Sequence, residues 1–171
     1  MMRLSYQRGV GLVEVLVAVL LLSVAVLGFS ALQLQAIKAT EESLVRTQAL
    51  SVVRGLAENM RANPLQLKVY EDTVNAETSP DSVNCKELAD NCTADKIAVK
   101  EANAAVKKLK EYDINIKMIA CPGTANFSEI KCIIAAWDDT KPIMNDTDPF
   151  ACATVNGVYK SGSTCVIVEA Y

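Results

Sequence analysis

The sequence predicts an α+β chain in which a long N-terminal α-helix packs on a small antiparallel β-sheet stapled by disulfides. Three observations lead there. An almost uncharged apolar run begins at Val10 and passes without a break into an amphipathic stretch that stops before Pro64. Short segments of alternating apolar residues follow only from Asp113 onward. All six cysteines lie at Cys85 or later.

From Val10 to Leu34 the run is interrupted only by Glu14, Ser23, Ser30 and Gln33 besides its glycines, and Glu14 is the only charged residue between Arg8 and Lys38. About 20 such residues span a bilayer core as a helix. Arg3 and Arg8 precede the run, so the short N-terminus is expected in the cytoplasm and everything after Ala36 on the far side of the inner membrane. Glu14 is the anomaly. A carboxylate deep in a bilayer costs about 2.5–3.5 kcal/mol, so it marks a function and needs a partner. Cutting the peptide bond after Gly9 would supply one, a free ammonium on Val10, four residues before Glu14. Between staggered helices, the ammonium of one chain would pair with the carboxylate of the next. That attraction offsets desolvation only when the geometry is good. The rival readings are an ordinary anchor with an incidental Glu and a secretory signal cut near Ala31. The run is long for the h-region of such a signal.

Beyond Leu34 the helix turns amphipathic. Ile37, Leu44, Val45, Ala49, Val52, Leu56 and Met60 mark one face, with Val53 beside them. Glu42 with Arg46 and Arg54 with Glu58 are i, i+4 pairs, each worth about 0.2–0.5 kcal/mol. Pro64 ends the helix because it disfavours helical geometry at Asn63. A helix from Val10 to Ala62 is about 80 Å long. Gly28, with Ser23 and Ser30 near it, is its expected weak point.

Arg8-Gly9-Val10-Gly11-Leu12-Val13-Glu14-Val15-Leu16-Val17 resembles the class III signal of type IV prepilins, although that family most often has Phe at the place of Val10 and Thr at that of Gly11. The helix end Met60-Arg61-Ala62-Asn63-Pro64 is similar to that of PilV-type minor pilins. The resemblance implies a type IV pilin-like fold with three parts. Residues 1–9 are a leader, residues 10–35 the membrane-spanning and filament-core half of the helix, and residues 36–171 a periplasmic domain. It implies cleavage by prepilin peptidase between Gly9 and Val10, N-methylation of Val10 and an assembly role for Glu14. The implied partners are other minor pilins, the major pilin, an inner-membrane assembly platform and membrane lipid. Many major pilins also carry a helix-breaking proline in the first half of the helix, which is absent here.

Composition narrows the chemistry. The 171 residues carry a net charge of −3. Losing Met1–Gly9 would remove Arg3 and Arg8 from the 17 basic side chains, leaving 15 against 20 acidic ones. An acidic domain argues against nucleic acid as a partner. Histidine is absent, which excludes His-based acid–base chemistry and most zinc sites. No nucleophile–base pair, phosphate-binding Gly-rich loop or paired-carboxylate motif stands out, so neither an enzyme nor a cofactor is expected.

The soluble part reads in order. Leu65 to Asn84 is polar and acidic and is expected as loop. Thr93 to Tyr112 is a helix, with Ile97, Ala98, Ala102, Ala105, Val106 and Leu109 on one face and Thr93 or Asp95 as cap. Its lysines Lys107, Lys108 and Lys110 read as a solvated face before a nucleic-acid patch. Asp113 to Cys121 and Cys132 to Trp137 are strands around a Pro-Gly loop. Asp138 to Phe150 is a loop, and Thr164 to Ala170 is the last strand. Six cysteines on the outer side read as disulfides, and the rival all-cysteine metal site lacks CxxC pairs. Fifteen pairings are possible in principle. Order and hairpin logic favour Cys85–Cys92, Cys121–Cys132 and Cys152–Cys165. Asp138, Asp139, Asp146 and Asp148 crowd one loop and are weak calcium candidates, set against a solvated acidic loop with no EF-hand spacing.

The expected function is structural. It is that of a minor type IV pilin which helps initiate pilus assembly, enters the pilus and supports adhesion or twitching motility. The alternatives are a minor pseudopilin of a type II secretion system and a bitopic membrane protein with a periplasmic binding domain.

Overall fold

The computed structural model describes Gly9 and residues 11–76, 85, 92–124 and 130–170. The chain divides into two compact units, Met1–Ser43 and Leu44–Tyr171. Helix α1, Leu12–Ala62, contributes to both.

In the second unit α1 buries Ala49, Val53, Leu56, Ala57 and Met60, with Val45 and Val52 partly buried beside them. Leu44 belongs to the expected stripe but stays exposed. The helix ends where Pro64 requires. Asn63 leaves helical geometry, with φ −133° and ψ 59°, and Pro64 opens a single 3-10 turn, Pro64–Gln66. Arg61, in the last turn, suits the helix dipole and pairs with Glu58.

The segment after Pro64 corrects the expected loop from Leu65 to Asn84. Leu67–Asn75 forms a second helix, α2, while residues 77–84 lie outside the described part. The reason is amphipathic spacing hidden in a polar stretch. Tyr70 and Val74, four apart, are fully buried, and Leu67 and Val69 pack partly against the same core. Lys68 and Asp72 pair at 3.3 Å on the solvent side.

Helix α3 runs Ala94–Lys110, shorter than the expected Thr93–Tyr112. Thr93 sits at its N-cap with extended backbone. At the other end Asp113 adopts φ +55°, and the Ile114 N–H donates to the Leu109 carbonyl at 3.1 Å. That six-to-one bond around a left-handed residue is a Schellman closure, and Ile114 and Leu109 are both buried in one core. Five strands follow: β1 Asn115–Ala120, β2 Lys131–Ala136, β3 Lys141–Met144, β4 Ala151–Ala153 and β5 Cys165–Ala170. The main sheet is antiparallel in the order β1-β2-β5, with Met118 opposite Ile133 and Ile133 opposite Val168. The expected loop Asp138–Phe150 is a second correction. It contains β3, which pairs in parallel with β4 across an irregular register. Pro142 inside β3 has no N–H to offer, so the pair is held by Lys141 N–H to the Phe150 carbonyl at 2.7 Å and Asn145 N–H to the Ala153 carbonyl at 2.8 Å.

Every residue of β2 is buried. Ile133 and Ala135 face the core shared with the helices, and Ile134 and Ala136 face a second cluster with the Cys152–Cys165 disulfide. The ammonium of Lys131 is buried against Glu71 of α2 at 2.9 Å, which ties the start of β2 to that helix. The other disulfides join Cys85 to Cys92 and Cys121 to Cys132. The latter closes the β1–β2 hairpin base, beside the Cys121 N–H bond to the Ile130 carbonyl at 2.8 Å.

Tyr70 joins three helices. Its hydroxyl donates to the Glu101 carboxylate of α3 and lies 3.5 Å from the Asn59 carbonyl oxygen of α1. Burial, then the bond to Glu101, pushes the phenol well above its ordinary pKa. The unfolded chain ionises this phenol near pH 10, whereas the folded chain keeps it neutral. Its contribution to stability is therefore complete below about pH 10 and is lost as pH rises beyond that, at up to about 1.4 kcal/mol per pH unit. Denaturant titrations across this range are expected to show the loss in the native chain and a shallower one in Tyr70→Phe.

Candidate functional site

Among its described residues the first unit is a helix that buries no side chain. From Leu12 to Leu44 every described side chain is exposed, including Leu12 at 78% and Phe29 at 62%. A helix that is apolar on all sides needs an apolar surround, either lipid or neighbouring helices. Among the described residues it is the one helix long and apolar enough to cross a membrane, with a mean hydropathy of 2.8 over its best window. Its serines Ser23 and Ser30 are satisfied within the helix. The Ser23 hydroxyl bonds the Val19 and Leu20 carbonyls at 2.9 Å, and Ser30 bonds the Val26 carbonyl at 2.9 Å. Such back-bonding lets serine sit in a bilayer without an unmet donor. The helix passes unbroken through Gly28, the expected weak point.

Glu14 lies in the first turn, which starts on the Gly11 carbonyl. That oxygen accepts from Glu14 N–H at 3.0 Å and Val15 N–H at 3.3 Å. A carboxylate there is favoured by the helix dipole, by about 0.3–1 kcal/mol at an exposed site. That is less than the cost of burying a charge in lipid. Gly9 is exposed, and Val10 lies outside the described residues.

The acidic loop has other business. Asp148 Oδ2 pairs with Lys141 at 2.8 Å, and its Oδ1 accepts from Phe150 N–H at 2.9 Å. Lys141, then that backbone bond, holds the carboxyl below its usual range. Asp146 Oδ1 accepts from Val155 N–H at 3.0 Å. Asp138 and Asp139 are exposed on the rim of a surface cleft of about 400 Å³ that also meets Phe150 and Ser161. No three His, Cys, Asp or Glu side chains converge on one point among the described residues. A cation does sit in the loop, but it is a lysine. Lys160 Nζ donates to the Asp146 carbonyl at 3.0 Å and the Asp148 carbonyl at 2.7 Å. Sequence reasoning missed this residue, which lies 12 residues beyond Asp148 with no spacing to mark it. Of the lysines on α3, Lys108 pairs with Glu111 at 3.0 Å and lies 5.4 Å from the Tyr112 ring centre.

Residues 4–30 match the family model for the prokaryotic N-terminal methylation motif, and residues 31–103 match the model described as type IV pilin Tt1218. The matches support a type IV pilin. The first covers Gly9, Val10 and Glu14, and the second runs from within α1 into α3, so the five strands lie beyond both matches. Pilins are structural subunits. A pseudopilin agrees with the same two matches. No curated protein and no solved structure matches the chain.

Because Lys160 already fills the acidic loop, unfolding midpoints in chelator and in millimolar calcium are expected to coincide. Lys160→Met should cost about 1.5–3 kcal/mol, the worth of hydrogen bonds to a charged group, measured by denaturant titration.

Proposed function

We propose that this chain is a minor type IV pilin, a subunit made in few copies that helps start pilus assembly and is built into the pilus, where it supports adhesion or twitching motility. The observation that carries the reading is the methylation-motif match over residues 4–30, laid on a helix whose stretch from Leu12 to Ile37 exposes apolar side chains all round and holds one carboxylate, Glu14. In this reading prepilin peptidase hydrolyses the bond between Gly9 and Val10, and the new amine of Val10 is methylated. Residues 10–35 are stored in the inner membrane with residues 36–171 in the periplasm. An assembly platform then moves the helix from lipid into the filament. There Glu14 of one subunit meets the Val10 ammonium of another, and other minor pilins and the major pilin supply the apolar surround.

A minor pseudopilin of a type II secretion system would be processed in the same way. The helix end Met60-Arg61-Ala62-Asn63-Pro64 favours the pilus.

Intact mass of the membrane-extracted chain, from cells with and without prepilin peptidase, tests the processing. Loss of Met1–Gly9 together with a gain of one methyl group is expected only when the peptidase is present. A full-length mass in both would leave a bitopic binding protein as the better account. In the same cells Glu14→Gln should remain in the membrane while its share in sheared filaments falls more than roughly tenfold, since an unpaired charge in an apolar surround costs several kcal/mol.

A further inference from the structure

Each outer edge of the three-stranded sheet is stopped near its middle by one side chain. Strands β1 and β5 flank β2, so each turns a row of backbone N–H and C=O groups away from the sheet. In β1 both groups of Met118 are taken by Asn75, the last residue of α2. Met118 N–H donates to Asn75 Oδ1 at 2.9 Å, and Asn75 Nδ2 donates to the Met118 carbonyl at 2.8 Å. A carboxamide carries the same donor and acceptor as a peptide unit, so Asn75 offers Met118 what a neighbouring strand would offer. In β5, Ile167 N–H donates to the Tyr159 hydroxyl at 2.8 Å. Tyr159 is held in turn by its bridge to Ala153 and by the bond from Lys160 N–H to the Cys152 carbonyl at 3.1 Å. Met118 and Ile167 lie in adjacent cross-strand rows, so the two stops face outward from nearly the same line across the sheet.

We propose that Asn75 and Tyr159 are edge plugs whose occupant, when removed, is a second copy of this chain, with the β5 edge of one copy adding to the β1 edge of the next. Both strands are six residues long and rich in Ile, Val and Met, the composition that pairs most readily. Each carries one charged residue on an exposed position, Lys117 in β1 and Glu169 in β5, and these are of opposite sign. Joining unlike edges is a head-to-tail contact that does not close on itself and extends the sheet from copy to copy. An unplugged edge is a liability for any chain whose copies are brought close together.

The test uses the full chain in detergent micelles, with Asn75→Ala, Tyr159→Phe and the double variant. The freed amide, Met118 or Ile167, should exchange hydrogen roughly tenfold faster in each single variant, with circular dichroism unchanged. The double variant should sediment as larger, concentration-dependent species than the native chain and regain slow exchange at both amides within them. A double variant that keeps the native sedimentation at every concentration overturns the proposal. Should Asn75→Ala fail to fold, Tyr159→Phe decides alone, because it removes a single oxygen from a half-exposed ring. A synthetic peptide of residues 115–120 should then bind that variant and not the native chain, and equal or absent binding to both refutes the plug.

Discussion

Lys131–Ala136 has no face turned to water, and most of the second unit follows from that. A strand buried on both sides needs apolar cover twice over. The helices provide one layer through α1, α2 and α3. The other comes from a much smaller device, a disulfide with Ile119, Met144 and Ile167 around it. That cover has few residues to draw on, which explains why β3 and β4 exist at all. They are too short to form a sheet of independent standing, but they seat Cys152 and Met144 over Ile134 and Ala136. The buried pair Lys131–Glu71 fixes where this strand begins, because slipping it by one residue would leave an ammonium in the core without its carboxylate.

The two units answer to different solvents. From Leu12 to Ile37 the chain carries exposed leucines, valines and a phenylalanine with one carboxylate among them. The second unit encloses its apolar residues and is held by disulfides. A chain with these two requirements is stable only where an apolar phase and an oxidising aqueous phase adjoin. A membrane and the space outside it meet that condition, and so does a helical filament core with its surface.

The long helix was legible because two signals agreed over many residues, apolar composition first and helical periodicity next, with Pro64 to end it. Strands β1, β2 and β5 were legible from alternation or from continuous apolar runs. Helix α2 was not, since only Leu67, Val69, Tyr70 and Val74 carry its apolar face and Lys68, Glu71, Asp72 and Thr73 mask them. Strands β3 and β4 were hidden by Pro142 and by brevity. In the site, Glu14 stood out because a single charge in an apolar run has no bland company. Lys160, Asn75 and Tyr159 left no trace in the sequence. Their roles depend on which backbone groups lie near them after folding, and no spacing rule encodes that.

The disulfides join cysteines that are consecutive in the chain, at separations of 7, 11 and 13 residues. No bond encloses another and none waits for a distant partner. Read from the N-terminus, each pair is complete before the next cysteine is reached, so oxidation in chain order yields the native set. Such a chain makes little demand on disulfide isomerisation, because its covalent framework can form without any cysteine first taking a wrong partner.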